Sequence, residues 1–266
     1  MGLQIDALVC DLDGVVYRGG NAIDGAAEAL GALRERGVRL LFATNNSRYT
    51  VEEYVVRLDG FGVAAEADEI VTSGVVLEAV LKGVGVDGMG ALVVGGTGLR
   101  TAVEAAGAHV VEDPREAGLV AVGWDVDFTY EKMKAASLAV QAGALFYASN
   151  KDATFPATDG TLWPGAGAIV ASIEAAGGRH AISVGKPTAP MAEFCERRLS
   201  GASNIAAIGD RPDTDLALGK DRGWTTILVT SGIISPDAVS SVDPTPDLVL
   251  GSIAELPALL DDRANR

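Results

Sequence analysis

Along nearly its whole length the chain alternates short apolar runs with amphipathic stretches, and this alternation limits its fold more than any other feature. A run of four to six apolar residues is too short for a buried helix, but it suits a strand covered on both faces. Such runs separated by helical patterns imply parallel strands joined by crossover helices, the α/β class with a Rossmann-like parallel sheet. The first run, Ala7–Cys10, ends at Asp11-Leu12-Asp13-Gly14, which sets Asp11 at the C-terminal end of a strand. A helical pattern over 24–36, stopped by Gly37, leads to a second strand, Val38–Ala43, and to the loop Thr44-Asn45-Asn46-Ser47. Later, Ala181–Val184 runs into Gly185-Lys186-Pro187, and a helix is read over 190–199 with proline in its first turn. The run Asn204–Ile208 ends at Gly209-Asp210 and a loop that continues to Asp215. Thr225–Val229 and Asp247–Leu250 read as further strands, and the polar tail from Asp261 is expected to fray. In open α/β sheets ligands bind beyond the carboxyl ends of the strands, so these four polar loops are expected to converge on one site.

More than a hundred residues separate the second loop from the third, far beyond one crossover helix, and they carry their own α/β alternation. The strands 91–94, 119–122 and 144–148 and the helices 98–106 and 129–141 are expected there. An inserted domain is therefore placed at 80–180 within a core of 1–79 and 181–266, and Gly-rich Lys82–Gly90 reads as a hinge at its entry.

Composition excludes several classes of function. With 21 basic against 36 acidic side chains the net charge is −15, which repels a phosphate backbone and argues against nucleic-acid binding. No run approaches the roughly 20 apolar residues that span a bilayer, and the first residues lack a basic leader, so no membrane partner and a cytoplasmic location are expected. Cys10 and Cys195 are the only cysteines and read as buried free thiols. Gly83–Gly88 matches G-x-G-x-x-G but precedes a strand instead of opening a helix after one, and Gly95–Gly98 lacks the Lys and Ser/Thr of a nucleoside triphosphate loop. His109 and His180, the only histidines, are too far apart to argue for a zinc site or a Ser-His-Asp triad.

The residues that carry chemistry stand at the strand ends: Asp11, Asp13 and Gly14, then Thr44, Asn45 and Asn46, then Lys186, and finally Asp210 to Asp215. In this order they resemble the haloacid dehalogenase (HAD) superfamily of phosphohydrolases. Finer features resemble its NagD / 4-nitrophenylphosphatase branch: Asp11 to Arg18 reading D-L-D-G-V-V-Y-R, Thr44 to Ser47, Phe128-Thr129-Tyr130-Glu131-Lys132, and Pro164-Gly165-Ala166-Gly167. The resemblance covers roughly residues 5–255 and implies a parallel-sheet core with an inserted C2-type α/β cap. It further implies that the cap closes over the site, contacts the leaving group and is a surface where homodimers form.

Chemistry asks for the same residue types. A carboxylate such as Asp11 can attack phosphorus and form an aspartyl-phosphate, dividing one hydrolysis into two displacements. Asp13 can protonate the leaving oxygen and then take a proton from the attacking water. Gly14 lets the backbone turn tightly beside the phosphate. Magnesium needs oxygen ligands, which Asp11 and Asp210 supply; the resemblance adds the Asp13 carbonyl and places Asp215 in the acidic loop around the metal. Lys186 gives a second positive charge, and the Thr44 hydroxyl with the amides around Asn45 and Asn46 donates to the phosphoryl oxygens. Asn150, Asp152, Trp163 and the Pro164–Gly167 turn are the residues of the insert expected near the mouth, Asn150 as a substrate contact, with Trp163 reading equally as core packing.

Each residue alone has a plainer reading. Asp-x-Asp-Gly also describes calcium loops, although here the position that an EF-hand fills with Glu is Ala22. Asp213 reads as a helix cap and not a ligand. The expected function is a magnesium-dependent phosphatase acting on a small phosphorylated metabolite, such as a polyol, sugar or nucleotide phosphate, and on 4-nitrophenyl phosphate in vitro. Haloacid dehalogenation is the alternative reaction, opposed by Asp13 and Asp210; a non-catalytic phosphometabolite-binding protein is the alternative class.

Overall fold

Two parallel sheets carry the fold, and a computed structural model describes it for residues 4–156 and 161–264. The α/β reading holds throughout. The chain divides into one unit made of 1–44, 55–70 and 192–266 and a second made of 45–54 and 71–191.

A six-stranded sheet runs in the order Leu248–Leu250, Thr225–Val229, Ile205–Gly209, Ala7–Cys10, Arg39–Thr44, Ile70–Thr72, and its first five strands lie wholly in the first unit. Ala7 pairs in parallel with Ile205 on one side and with Arg39 on the other. All four residues of Ala7–Cys10 are buried, which is why the strand is a continuous apolar run. From this central strand the chain first works outward through Arg39–Thr44, and it returns much later to build the other half through Ile205–Gly209. The order of strands therefore reverses between Ala7–Cys10 and Ile205–Gly209, and such a switch point leaves a crevice at the strands' carboxyl ends. The residues that follow these two strands are Asp11 and Asp210.

The second unit has a five-stranded sheet in the order Ile182–Ser183, Leu145–Ala148, Leu119–Val122, Gly90–Val94, His109–Val110, with every pair parallel. Helices Tyr130–Gln141 and Ala166–Gly177 pack on it through Ala136, Ala139, Val140, Ile169, Val170 and Ile173. Thr129 caps the first of them by accepting from the Lys132 amide. A hairpin pairs Thr154–Pro156 with Leu162–Pro164.

Several details differ from the sequence reading. The run at 181–184 was expected among the core strands of 181–266, but it shortens to Ile182–Ser183 and joins the second unit's sheet beside Tyr147 and Ala148. The length of an apolar run does not say which of two sheets it will enter. Lys82–Gly90 lies inside the second unit, not at its entry: it follows helix Ser73–Val84, which Gly85 ends with φ 83, and Val86 is fully buried. The segment read as an insert, 80–180, also lies inside that unit. The tail expected to fray from Asp261 is helical as far as Ala264, within helix Leu256–Ala264, and Arg36 donates two hydrogen bonds to Asp261; residues 265–266 of that tail lie outside the described residues. Cys10 and Cys195 are both buried and form no disulfide, as expected. Among the described residues no helix is long and apolar enough to cross a membrane.

Candidate active site

In the first unit, the ends of two central strands and the turn that follows the second bring three carboxylates together. Asp11, Asp210 and Asp215 are all buried, and each offers an oxygen within 4.8 Å of the others. Asp215 reaches the cluster because the chain after Gly209 coils into a single wide turn, Pro212–Leu216, and its Oδ2 accepts from the Arg211 amide at 3.1 Å. Gly209 lies directly beneath it, where a Cβ would collide with the Asp215 side chain.

Asp210 is the electrostatic centre of the cluster. Burial, then the Asp215 carboxylate, and to a smaller extent Asp13 push it up to about 7, against the opposing pull of the Ile233 amide and Arg211. The Ile233 amide donates to its Oδ2 at 2.9 Å. The three buried carboxylates form an all-oxygen donor set, and such donors suit a hard divalent ion.

Gly14 shows why the motif ends in glycine. Its φ is +83, and a Cβ there would collide with the Asp210 carboxylate and come within 2.9 Å of Gly232 Cα. Asp13 stands outside the three-carboxylate cluster, only partly buried, with the Tyr17 hydroxyl 3.5 Å from its Oδ2. Thr44 is buried at the last position of its strand.

The remaining expected residues belong to the second unit. Lys186 is only 4% exposed, and its backbone is gripped at two points: its amide donates to Asn45 Oδ1 at 2.7 Å and its carbonyl accepts from Asn45 Nδ2 at 3.1 Å. The same Nδ2 donates to both Asp152 oxygens, at 2.9 and 3.2 Å. The Asn45 carbonyl accepts from Ser73 Oγ and from Asn150 Nδ2, each at 2.6 Å. Asn150 Oδ1 in turn accepts from the Asp152 amide at 3.1 Å, so both ends of the Asn150 carboxamide are engaged by protein groups. Asn46 Oδ1 accepts from the Arg48 amide, and its carbonyl accepts from the Tyr54 hydroxyl. Asn45, Asn46, Asn150 and Asp152 line one small cavity together with Trp124 and Phe155, whose rings stack at 4.1 Å.

Three of the four expected loops thus leave one sheet, and the Lys186 loop leaves the other. Asp213 does not cap a helix: the turn begins at Arg211 without a side-chain cap, and Asp213 lies 70% exposed with Arg211 Nε 3.7 Å away. Trp163 is 49% exposed on the hairpin and takes no part in the core. His180 is exposed against Glu174, and His109 sits on an edge strand. The sequence reading missed the loop after Thr225–Val229. There Ser231 Oγ donates to the Gly14 carbonyl at 2.6 Å, and Gly232 makes room for Asp210. Its one signal was a Ser-Gly pair just past a buried strand.

The comparisons with known proteins agree with this geometry. A family model described as haloacid dehalogenase-like hydrolase matches residues 8–109, and a second, described as HAD-hydrolase-like, matches 183–256. An acid sugar phosphatase of Staphylococcus saprophyticus is 36% identical over 244 residues, which are 90% of this chain and 92% of the relative. The chain is a haloacid dehalogenase-like hydrolase. Among solved structures, this hydrolase superposes on NagD from Escherichia coli K-12 with a TM-score of 0.84 at 30% identity, covering 95% of this chain and 98% of that one. A glycerol phosphate phosphatase from Mycobacterium tuberculosis, crystallised in complex with magnesium, matches the hydrolase with a TM-score of 0.86 at 30% identity over 95% of this chain and 76% of that one. The acidic cluster of the hydrolase falls at the switch point of its first sheet, where a sheet of this order leaves its crevice.

Proposed function

We propose that this hydrolase is a magnesium-dependent phosphatase of small phosphate monoesters, with polyol, sugar or nucleotide phosphates as its substrate class and 4-nitrophenyl phosphate as an artificial one. The observation that carries the reading is the buried Asp11, Asp210 and Asp215 cluster, in which Asp210 is pushed up to about 7. Relatives named as phosphatases support it.

Asp11 and Asp210 would hold the cation, with Asp215 beside them and the Asp13 carbonyl completing the set. When bound, magnesium supplies the positive charge that lets a phosphate dianion approach a carboxylate. An oxygen of Asp11 forms the new bond to phosphorus as the bond to the leaving alkoxide breaks. Asp13, protonated at this stage, gives its proton to that alkoxide. Asp13, now ionised, takes a proton from water as the water oxygen attacks phosphorus. The bond to Asp11 then breaks, releasing inorganic phosphate and restoring the carboxylate. The Lys186 ammonium and the Thr44 hydroxyl donate to the non-bridging oxygens while charge shifts among them.

The test is phosphate release from a panel of glycerol, sugar, glycolate, nucleotide and 4-nitrophenyl phosphates, with magnesium or with EDTA. Release from panel members that EDTA abolishes is the expected result. A folded, magnesium-loaded protein that releases phosphate from none of them overturns the catalytic reading in favour of a phosphometabolite-binding protein.

A further inference from the structure

We propose that Asp152 is a positioning residue for Lys186, acting through the side chain of Asn45. The proposal rests on the reading of Lys186 as a positive partner of the phosphoryl group, and it goes beyond that reading by assigning what holds the lysine in place.

A carboxamide gripping a peptide at both its N–H and its C=O fixes that peptide's plane, provided the carboxamide itself cannot flip or turn away. Asn45 grips Lys186 in this way, at 2.7 and 3.1 Å. An unaided carboxamide can exchange its oxygen and nitrogen with little steric change, and the exchange would break both bonds to Lys186. Asp152 removes that freedom. Its two oxygens lie 2.9 and 3.2 Å from Asn45 Nδ2, and an ionised carboxylate accepts but never donates, so only the NH2 end of Asn45 can face it. The pairing is charge-assisted, which strengthens it.

Asp152 is itself held from behind by the Pro164–Gly167 turn. The Gly167 amide donates to the Asp152 carbonyl at 2.8 Å, and the Gly165 amide donates to the Ala153 carbonyl at 2.9 Å. A Cβ at either glycine would collide with the backbone of 151–152. The glycines of this motif therefore allow helix Ala166–Gly177 to press its first turn against the Asp152 loop. The order of support runs from that turn to Asp152, from Asp152 to Asn45, and from Asn45 to the Lys186 peptide. Gly185 fits the same logic, because a Cβ there would stand 2.6 Å from Asn45 Oδ1.

A double-mutant cycle tests the proposal, using 4-nitrophenyl phosphate and the full chain with magnesium. Asp152→Ala is expected to lower kcat roughly tenfold to hundredfold, the scale of a misplaced catalytic group, with a smaller change in KM and an unchanged circular dichroism spectrum. Asp152→Asn, whose carboxamide can face Asn45 with either its oxygen or its NH2 and so does not forbid the flip, is expected to recover only part of that rate. In a Lys186→Met background, Asp152→Ala is expected to change the remaining rate by less than about twofold, since it has no lysine left to misplace. An equal loss from Asp152→Ala in both backgrounds overturns the proposal, because Asp152 then acts independently of Lys186. Full activity of Lys186→Met alone removes the lysine from the reaction and the proposal with it, an outcome the single variant reveals before the cycle is read.

Discussion

The acidic cluster of the first unit and the Lys186 node of the second answer the same physical problem in opposite ways. Both bury polar and ionisable groups. Around Lys186 the protein satisfies its groups from within: Asn45, Asn150 and Asp152 donate to and accept from one another, and Ser73 joins them. Around Asp210 it sets carboxylate beside carboxylate, and burial with the Asp215 charge raises Asp210 to about 7 although the Ile233 amide donates to it. A self-satisfied network fixes geometry, whereas a cluster of like charges favours a bound cation. The first suits a group that must stay in place, and the second suits the binding of a cation.

The largest effect that sharpens this contrast is expected at Asp11. Asp11→Asn removes the nucleophilic oxygen and should lower kcat by a factor on the order of 10⁴–10⁶ while the thermal midpoint moves little. Steady-state rates beside a melting curve would show it, and near-normal turnover would take the nucleophile's role away from Asp11.

Next in size is the response to pH and magnesium. Because the Asp210 pKa in the folded, metal-free protein lies above its ordinary value of 3.8, at about 7, the folded state binds the extra proton between those values. Metal-free stability should therefore fall as pH rises through that window, with the loss complete above about 7. Magnesium should restore it, so the gain in thermal midpoint over EDTA is expected to be larger at pH 8 than at pH 5.5. A gain independent of pH would mean that the cation binds elsewhere.

The smallest effect is expected at Asp213, which shares the acidic turn but stands exposed outside the cluster. Asp213→Ala should leave the magnesium concentration for half-maximal rate unchanged, whereas Asp215→Ala should raise it. Equal shifts for the two would dissolve the distinction between cluster and surface charge.

Asp11, Thr44 and Asp210 were legible because a buried parallel strand writes itself as an apolar run, and a polar residue at its end is then set at the sheet's carboxyl edge. The 230–233 loop was not, since Thr-Ser-Gly after a strand is ordinary turn composition and its contact with Gly14 spans 217 positions. Nor was the task of Asn45: read locally it offers an amide to a phosphate, but its side chain meets Lys186 at a separation of 141 residues. The grip of Arg36 on Asp261 spans 225 residues, so composition alone made the C-terminal segment look loose. Asp215 entered the cluster through a wide helical turn that no periodicity announces.

The two-point grip on Lys186 also bears on how the backbone breathes. Its amide bonds to a buried side-chain oxygen and not to a neighbouring strand, so that hydrogen can exchange with solvent only when the Asn45 clamp opens. A loop outside any helix or sheet should then exchange as slowly as a core strand. Its exchange rate would follow the integrity of a side-chain network and not that of a sheet.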